Sequence, residues 1–166
     1  MIVRDGRPID PAVIEEVLYR LPCVKLAVIV GCPDAYAGEV PVAYVELTEG
    51  MSMTESEILR WLKQNIHDDE AVPQSATVVD KIPVTAVGKI FKPSFRWDAI
   101  RKIYQRELAG LEEMATDVNV IVGEDIVNGT SVKLKITAAP GVEKDAIKKR
   151  ITEILIRYTL YYEIIM

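Results

Sequence analysis

Pro83-Val84-Thr85-Ala86-Val87-Gly88-Lys89-Ile90 places a Gly-Lys pair on a short loop, a few residues after an apolar run. A lysine there is a compact point charge with three donors on a flexible stem. Such a group suits the stabilisation of phosphate or carboxylate charge in a transition state. A Walker phosphate loop is excluded, because it needs Gly where Pro83 stands and Ser or Thr where Ile90 stands. Pro83 also offers no N–H to a phosphate. The plain alternative is a solvated lysine after a turn. Other constellations are thinner. His67 is the only histidine, so no histidine-rich metal site can form. His67-Asp68-Asp69-Glu70 reads either as a cation site or as a solvated loop. Ser52, Ser56, Ser75, Ser94 and Ser131 lack a nucleophile-elbow context. No metal site is expected.

The elements that must carry this loop follow from turn and periodicity signals. Val3-Arg4 leads into Asp5-Gly6, a two-residue hairpin signal, and Ile9 closes the return. Asp10 caps a helix with Pro11 at its first position. Ile14, Val17, Leu18 and Leu21 form its apolar face. Val24 to Val30 reads as a buried strand, Pro33 to Glu39 as a loop, and Val40 to Leu47 as a second strand. Thr54 and Glu57 form a capping box for a helix to about Asn65, with Ile58, Trp61, Leu62 and Ile66 inward. Ala76 to Val79 is the third strand. Pro93 opens a long helix to about Met114. Val118–Val122 and Val132–Thr137 then make a hairpin around Asn128-Gly129. After Pro140-Gly141 an amphipathic helix runs from Glu143 to about Leu160, and Tyr161–Ile165 closes as a strand. The fold class is α+β: a small sheet of about three strands with helices packed on it and an N-terminal two-stranded hairpin, followed by an extra hairpin-plus-helix tail. The division is set at residues 1–105 and 106–166.

Composition bounds the partners. A chain of 166 residues buries roughly two-thirds of its unfolded surface, enough for one sizeable core or two small ones. The net charge is −5, and no basic stripe favours nucleic acid. No apolar run reaches the ~20 residues that a membrane span needs. The start lacks a signal peptide's basic and apolar regions. Cys23 and Cys32 lie in or beside an apolar run and read as two buried reduced thiols. Trp61 and Trp97 read as packing residues. These features together point to a cytoplasmic protein.

Three stretches, taken in order, resemble the C-terminal domain of the AMP-forming acyl-CoA synthetases, in the adenylate-forming superfamily with luciferases and peptide-synthetase adenylation domains. Ile2-Val3-Arg4-Asp5-Gly6-Arg7-Pro8-Ile9-Asp10-Pro11-Ala12-Val13-Ile14-Glu15 is similar to the segment after the interdomain hinge, a Gly-Gly hairpin followed by Ile-x-Pro-x-x-Ile-Glu. Gly31-Cys32-Pro33-Asp34, Gly38-Glu39 and Val42-Ala43-Tyr44-Val45 look like the Gly-x-Pro-Asp, Gly-Glu, Ala-aromatic-Val run. Pro83 to Lys89 matches the Pro-x(4)-Gly-Lys signature. The resemblance covers residues 1 to about 105. Asp5 stands where the family has Gly, Pro8 where it often has Asn, and Val13 where it often has Glu.

The resemblance implies a mobile lid of an ATP-dependent, AMP-forming fatty acyl-CoA ligase. In the first half-reaction a carboxylate attacks the α-phosphate of ATP, and Lys89 would bridge the charged oxygens, with Gly88 allowing close approach. In the second the domain rotates, Lys89 withdraws, and the Arg4-Asp5-Gly6 hairpin would line the channel for coenzyme A. ATP/AMP and coenzyme A are the implied cofactors, with Mg2+ held with ATP in the N-terminal adenylating domain. That domain and a carboxylic acid are the implied partners. None of its motifs is in this chain, so the isolated chain is expected to be inactive. A start directly after the hinge reads as a domain cut at a flexible boundary. Arg96, Arg101 and Lys102 read as a contact for the 3′-phosphate of coenzyme A or as a solvated helix face. The tail reads as packing, a homo-oligomer contact or a ligand contact. Two other functions stand beside the ligase. One is a standalone ligand-binding or regulatory module. The other is the lid of an adenylation domain that loads a carrier protein.

Overall fold

In the computed structural model, which describes Met1–Met166, the chain doubles back at Asp5-Gly6. Both residues have left-handed backbones (φ 49° and 77°), the geometry of the tight turn that matches strand twist. This turn joins β1 (Ile2–Arg4) to β2 (Arg7–Ile9). Helix α1 (Pro11–Tyr19) follows, with the Asp10 carboxylate accepting the Ala12 N–H at 2.9 Å and Pro11 in the first turn.

β3 (Val24–Asp34) and β4 (Gly38–Leu47) pair antiparallel along their whole length. The strand reaches past the expected end at Val30 and takes in Pro33. It can do so because β3 is an edge strand, where a missing N–H breaks no ladder bond. The outward N–H groups of Ala27 and Ile29 are taken by Tyr19 Oη (3.0 Å) and Glu15 Oε1 (3.1 Å). Side chains of α1 thus cover an edge that would otherwise invite pairing. The expected seven-residue loop shrinks to a tight turn. Asp34 Oδ1 accepts the N–H groups of Tyr36 and Ala37, and Gly38 takes φ 82°.

On its other side β4 meets two partners, one after the other. Arg4 of β1 pairs with Gly38, and β5 (Ala76–Val79) pairs in parallel with Ala43–Glu46. Pro41 sits in the gap between them, where no N–H is needed, and its carbonyl accepts from Gln74. The sheet therefore has five strands, because the N-terminal hairpin joins the three expected ones. Helix α2 (Glu55–Asn65) begins with the full Thr54/Glu57 capping box. Ile14, Leu18, Ile29, Val45, Ile58 and Leu62 fill the core of this unit. Trp61 packs at its rim and donates its Nε1–H to the Val17 carbonyl at 3.2 Å.

Helix α3 (Lys92–Glu107) ends in a tighter turn over Leu108–Leu111, short of the expected Met114. Leu108 and Leu111 are still buried. The chain forms two compact units, Met1–Ala99 and Ile100–Met166. The division falls inside α3, whereas the sequence places it near residue 105. Ile100 and Tyr104 belong to the second core, with Val132, Leu134, Ile147, Ile151 and Leu155. That second unit pairs β6 (Ala115–Asp125) with β7 (Gly129–Ala138) antiparallel. Helix α4 (Lys144–Leu155) then crosses to β8 (Tyr161–Ile165), which lies parallel to β7. Helix α4 stops five residues before the expected Leu160, since the chain must turn at Tyr158 to enter β8. No helix is long and apolar enough to cross a membrane.

Candidate functional site

The lysine loop is a small hairpin of its own. The Val84–Ile90 bridge closes it. The Thr85 N–H donates to the Lys89 carbonyl (2.7 Å), the Gly88 N–H to the Thr85 carbonyl (2.9 Å), and the Lys89 N–H to Thr85 Oγ1 (3.2 Å). Gly88 has φ 78°, a conformation that costs other residues about 1–2 kcal/mol. The side chain of Thr85 therefore holds the turn, and nothing in the sequence pattern had singled it out. Lys89 stands exposed at the tip with no hydrogen bond or ion pair to its ammonium group. Val84 and Val87 beside it are also exposed.

Both roots of the loop are fixed. On the entry side Ile82 is buried, and its N–H donates to Glu46 Oε2 at 2.7 Å. Lys25 pairs with the other oxygen of Glu46 at 3.2 Å. The Ile82 N–H, then Lys25, hold the Glu46 carboxyl below the ordinary carboxylate range, against the opposing effect of burial. On the exit side the Lys92 ammonium pairs with Glu15 Oε1. Phe91 packs its ring on the edge of Trp97 (5.8 Å between centroids). Glu15 and Glu46 were not among the expected site residues. Only a charged residue inside an apolar strand, Glu46 in Val45-Glu46-Leu47, hinted at either.

The hairpin presents its residues differently. Asp5 and Gly6 are exposed at the tip, and the Asp5 N–H donates to the Ala37 carbonyl at 2.8 Å. Arg4 turns inward instead. Its Nη1 donates to the Glu70 carbonyl at 2.9 Å, and its Nε, which has no hydrogen bond, lies 4.0 Å from Asp5 Oδ2. The carboxylate that looked out of place at position 5 therefore balances a half-buried guanidinium. Arg7 pairs with Asp68 (2.8 Å) and with Glu70. The 68–70 segment thus tethers the hairpin. Beside Arg4 lies an open cleft of about 340 Å³ lined by Lys63, Asp69, Val72, Pro73 and Gln74.

Other candidates are placed as follows. Arg96 pairs with Glu39 at 3.0 Å, while Arg101 and Lys102 occupy exposed positions on α3. Cys32 is buried, but Cys23 is only half-buried, with its thiol 3.5 Å from the Met53 sulfur.

The two loops are rooted at opposite ends of β4, the hairpin at Gly38 and the lysine loop at Glu46. Eight residues of strand place these roots about 26 Å apart. Residues 13–89 match the AMP-binding enzyme C-terminal domain family, and the first unit belongs to it, within the adenylate-forming superfamily. The marinolic acid–CoA ligase of Pseudoalteromonas sp. (strain SANK 73390) is 36% identical over 138 residues, 83% of this chain and 21% of that protein. The putative acyl-CoA synthetase YngI of Bacillus subtilis is 38% identical over 96 residues, 58% of this chain and 17% of that protein. Among solved structures, Brucella canis acyl-CoA synthetase superposes with a TM-score of 0.55 at 30% identity, covering 61% of this chain and 19% of that one. The chain spans about a fifth of the length of these relatives. The match to the marinolic acid–CoA ligase is longer than the first unit and so extends into the second.

Proposed function

We propose that this chain is the mobile C-terminal part of an ATP-dependent, AMP-forming acyl-CoA ligase, with Lys89 as its adenylation lysine. The observation that carries this reading is the bare ammonium of Lys89 on a hairpin whose two roots are fixed. A bare ammonium is common on a protein surface, and what sets this one apart is its place at the end of the Pro83–Lys89 signature, on a turn fixed at both roots. This one is held out for a group that arrives from elsewhere. In adenylation that group is the developing charge on the acyl carboxylate and the α-phosphate, where the work is positioning and electrostatics. Lys89 supplies a positive charge, and the Thr85–Lys89 turn fixes the direction from which it comes.

Thioester formation then uses the other end of β4. The exposed Asp5-Gly6 tip borders the path of the coenzyme A thiol. Lys63, in the cleft beside it, offers a cation to the anionic end of coenzyme A. Because the two loops are rooted at opposite ends of the strand, they cannot serve one site in one orientation, so the domain rotates between half-reactions.

The test uses this domain joined in frame to its N-terminal adenylating domain, with and without Lys89→Ala. Acyl-AMP formation should fall by about 10²–10³ or more, while thioester formation from preformed acyl-AMP and coenzyme A persists. Unchanged adenylation would make the Gly-Lys loop a surface turn and favour a binding module. Transfer to a carrier-protein thiol in place of coenzyme A would identify a carrier-loading lid. The chain alone should form no acyl-AMP.

A further inference from the structure

Strand β4 carries a carboxylate near each end, Glu39 and Glu46, seven residues apart. Each does the same unusual thing. Glu39 Oε2 accepts the Val3 N–H of the hairpin at 3.0 Å, and its Oε1 is held by Arg96 at 3.0 Å. Glu46 Oε2 accepts the Ile82 N–H of the lysine loop at 2.7 Å, and its Oε1 is held by Lys25 at 3.2 Å. In both cases a side chain on the central strand replaces a ladder bond, at a place where the backbone of β4 no longer reaches its neighbour. β1 meets β4 only at Arg4–Gly38, and β5 ends at Val79 opposite Glu46.

Glu46 is buried and Glu39 partly so. The Glu46 side chain is 7% exposed and that of Glu39 24%. Glu39 lies over Gly31, where an added Cβ would stand 3.0 Å from Cδ and Oε1 of the carboxylate. The glycine leaves the space that the carboxylate fills. A charged acceptor makes a shorter, stronger and more directional hydrogen bond than a neutral one, which suits it to fixing the root of a loop.

We infer that Glu46 and Glu39 are positioning residues for separate half-reactions, Glu46 aiming Lys89 for adenylation and Glu39 aiming the Arg4-Asp5-Gly6 hairpin for thioester formation. This rests on the ligase reading above. Neither carboxylate touches a reacting atom. Each acts through the loop whose N–H it holds, and a misplacement of about 1 Å at a reacting centre costs on the order of 10²-fold in rate.

The experiment measures both half-reactions separately, with the domain joined to its adenylating partner domain, for Glu46→Gln, Glu39→Gln, Gly31→Ala and the control Lys89→Ala. Glu46→Gln should slow acyl-AMP formation about 10–100-fold in kcat, leaving transfer from preformed acyl-AMP to coenzyme A near the parent rate. Glu39→Gln should do the reverse. Gly31→Ala, which displaces the Glu39 carboxylate without removing its charge, should reproduce the Glu39→Gln pattern. Thermal melting of each variant separates misplacement from unfolding, since partial unfolding lowers both half-reactions together. If each variant slows both half-reactions equally, or neither, the inference is overturned while the lysine reading stands on its control. If Lys89→Ala leaves adenylation intact, the ligase reading fails and this inference falls with it.

Discussion

Arg4 and Lys89 both stand beside tight turns with a glycine in the left-handed region, yet their charges have opposite fates. Arg4 is folded onto the Glu70 carbonyl, with its side chain only 20% exposed. Lys89 points into solvent, and its loop is organised by its backbone and by Thr85. The difference lies in the surroundings. The 68–70 segment lies against the hairpin and supplies acceptors, whereas nothing within the first unit faces the tip of the lysine loop. One cation is thus part of the fold, and the other is left available to a group outside it.

The largest effect should come from the root of the lysine loop. Ile82→Ala is expected to destabilise the first unit by about 2–5 kcal/mol, read as an earlier urea midpoint. A near-neutral result would mean that the loop is not anchored in the core. The next test addresses the comparison itself. Arg4→Gln should cost about 1–3 kcal/mol, the usual range for a hydrogen bond to a charged group. Lys89→Gln should change stability by less than about 0.5 kcal/mol, as for surface sites without partners. Equal costs would erase the distinction between the two cations.

Between these two costs lie the glycines. At Gly6 and Gly88 an added Cβ meets nothing within 4 Å, so Gly6→Ala and Gly88→Ala should each cost only the backbone strain of about 1–2 kcal/mol in chemical denaturation. If the proposed ligase reading holds, then with the N-terminal adenylating domain joined in frame Gly88→Ala should lower adenylation alone and Gly6→Ala the thioester step alone. A shared kinetic defect would argue against separate roles for the loops. The last test is acid. The Glu46 carboxyl is held below the ordinary carboxylate range by the Ile82 N–H and then by Lys25. Its contribution to stability is therefore complete above about pH 4.5 and is lost as the pH falls through the lower folded value. Glu46→Gln should lose less stability than the parent over that acid window, measured as thermal midpoint against pH.

Legibility tracked the range of the interaction. Asp5-Gly6, the Asp10–Pro11 start of α1 and the Thr54/Glu57 capping box were readable because each is settled by residues at most three apart. The order of strands and helices followed from apolar runs. The exact ends did not. β3 continues through Pro33 because it lies at an edge, and α4 stops at Leu155 because the chain must return to β8. Both reasons exist only once neighbours are in place.

The candidate site divides in the same way. Sequence by itself determined that the chain carries the Pro-x(4)-Gly-Lys loop, the hairpin and the family to which the first unit belongs, since these are matters of residue type and local spacing. It also determined which cations were available in principle. Tertiary structure alone decided which of them is spent on the fold. Arg4 and Glu70, 66 positions apart, and Glu46 and Ile82, 36 apart, are joined by hydrogen bonds that no local pattern encodes. Burial makes those bonds decisive, because a charge or an N–H removed from water must find a partner, and only the folded chain determines which partner is near.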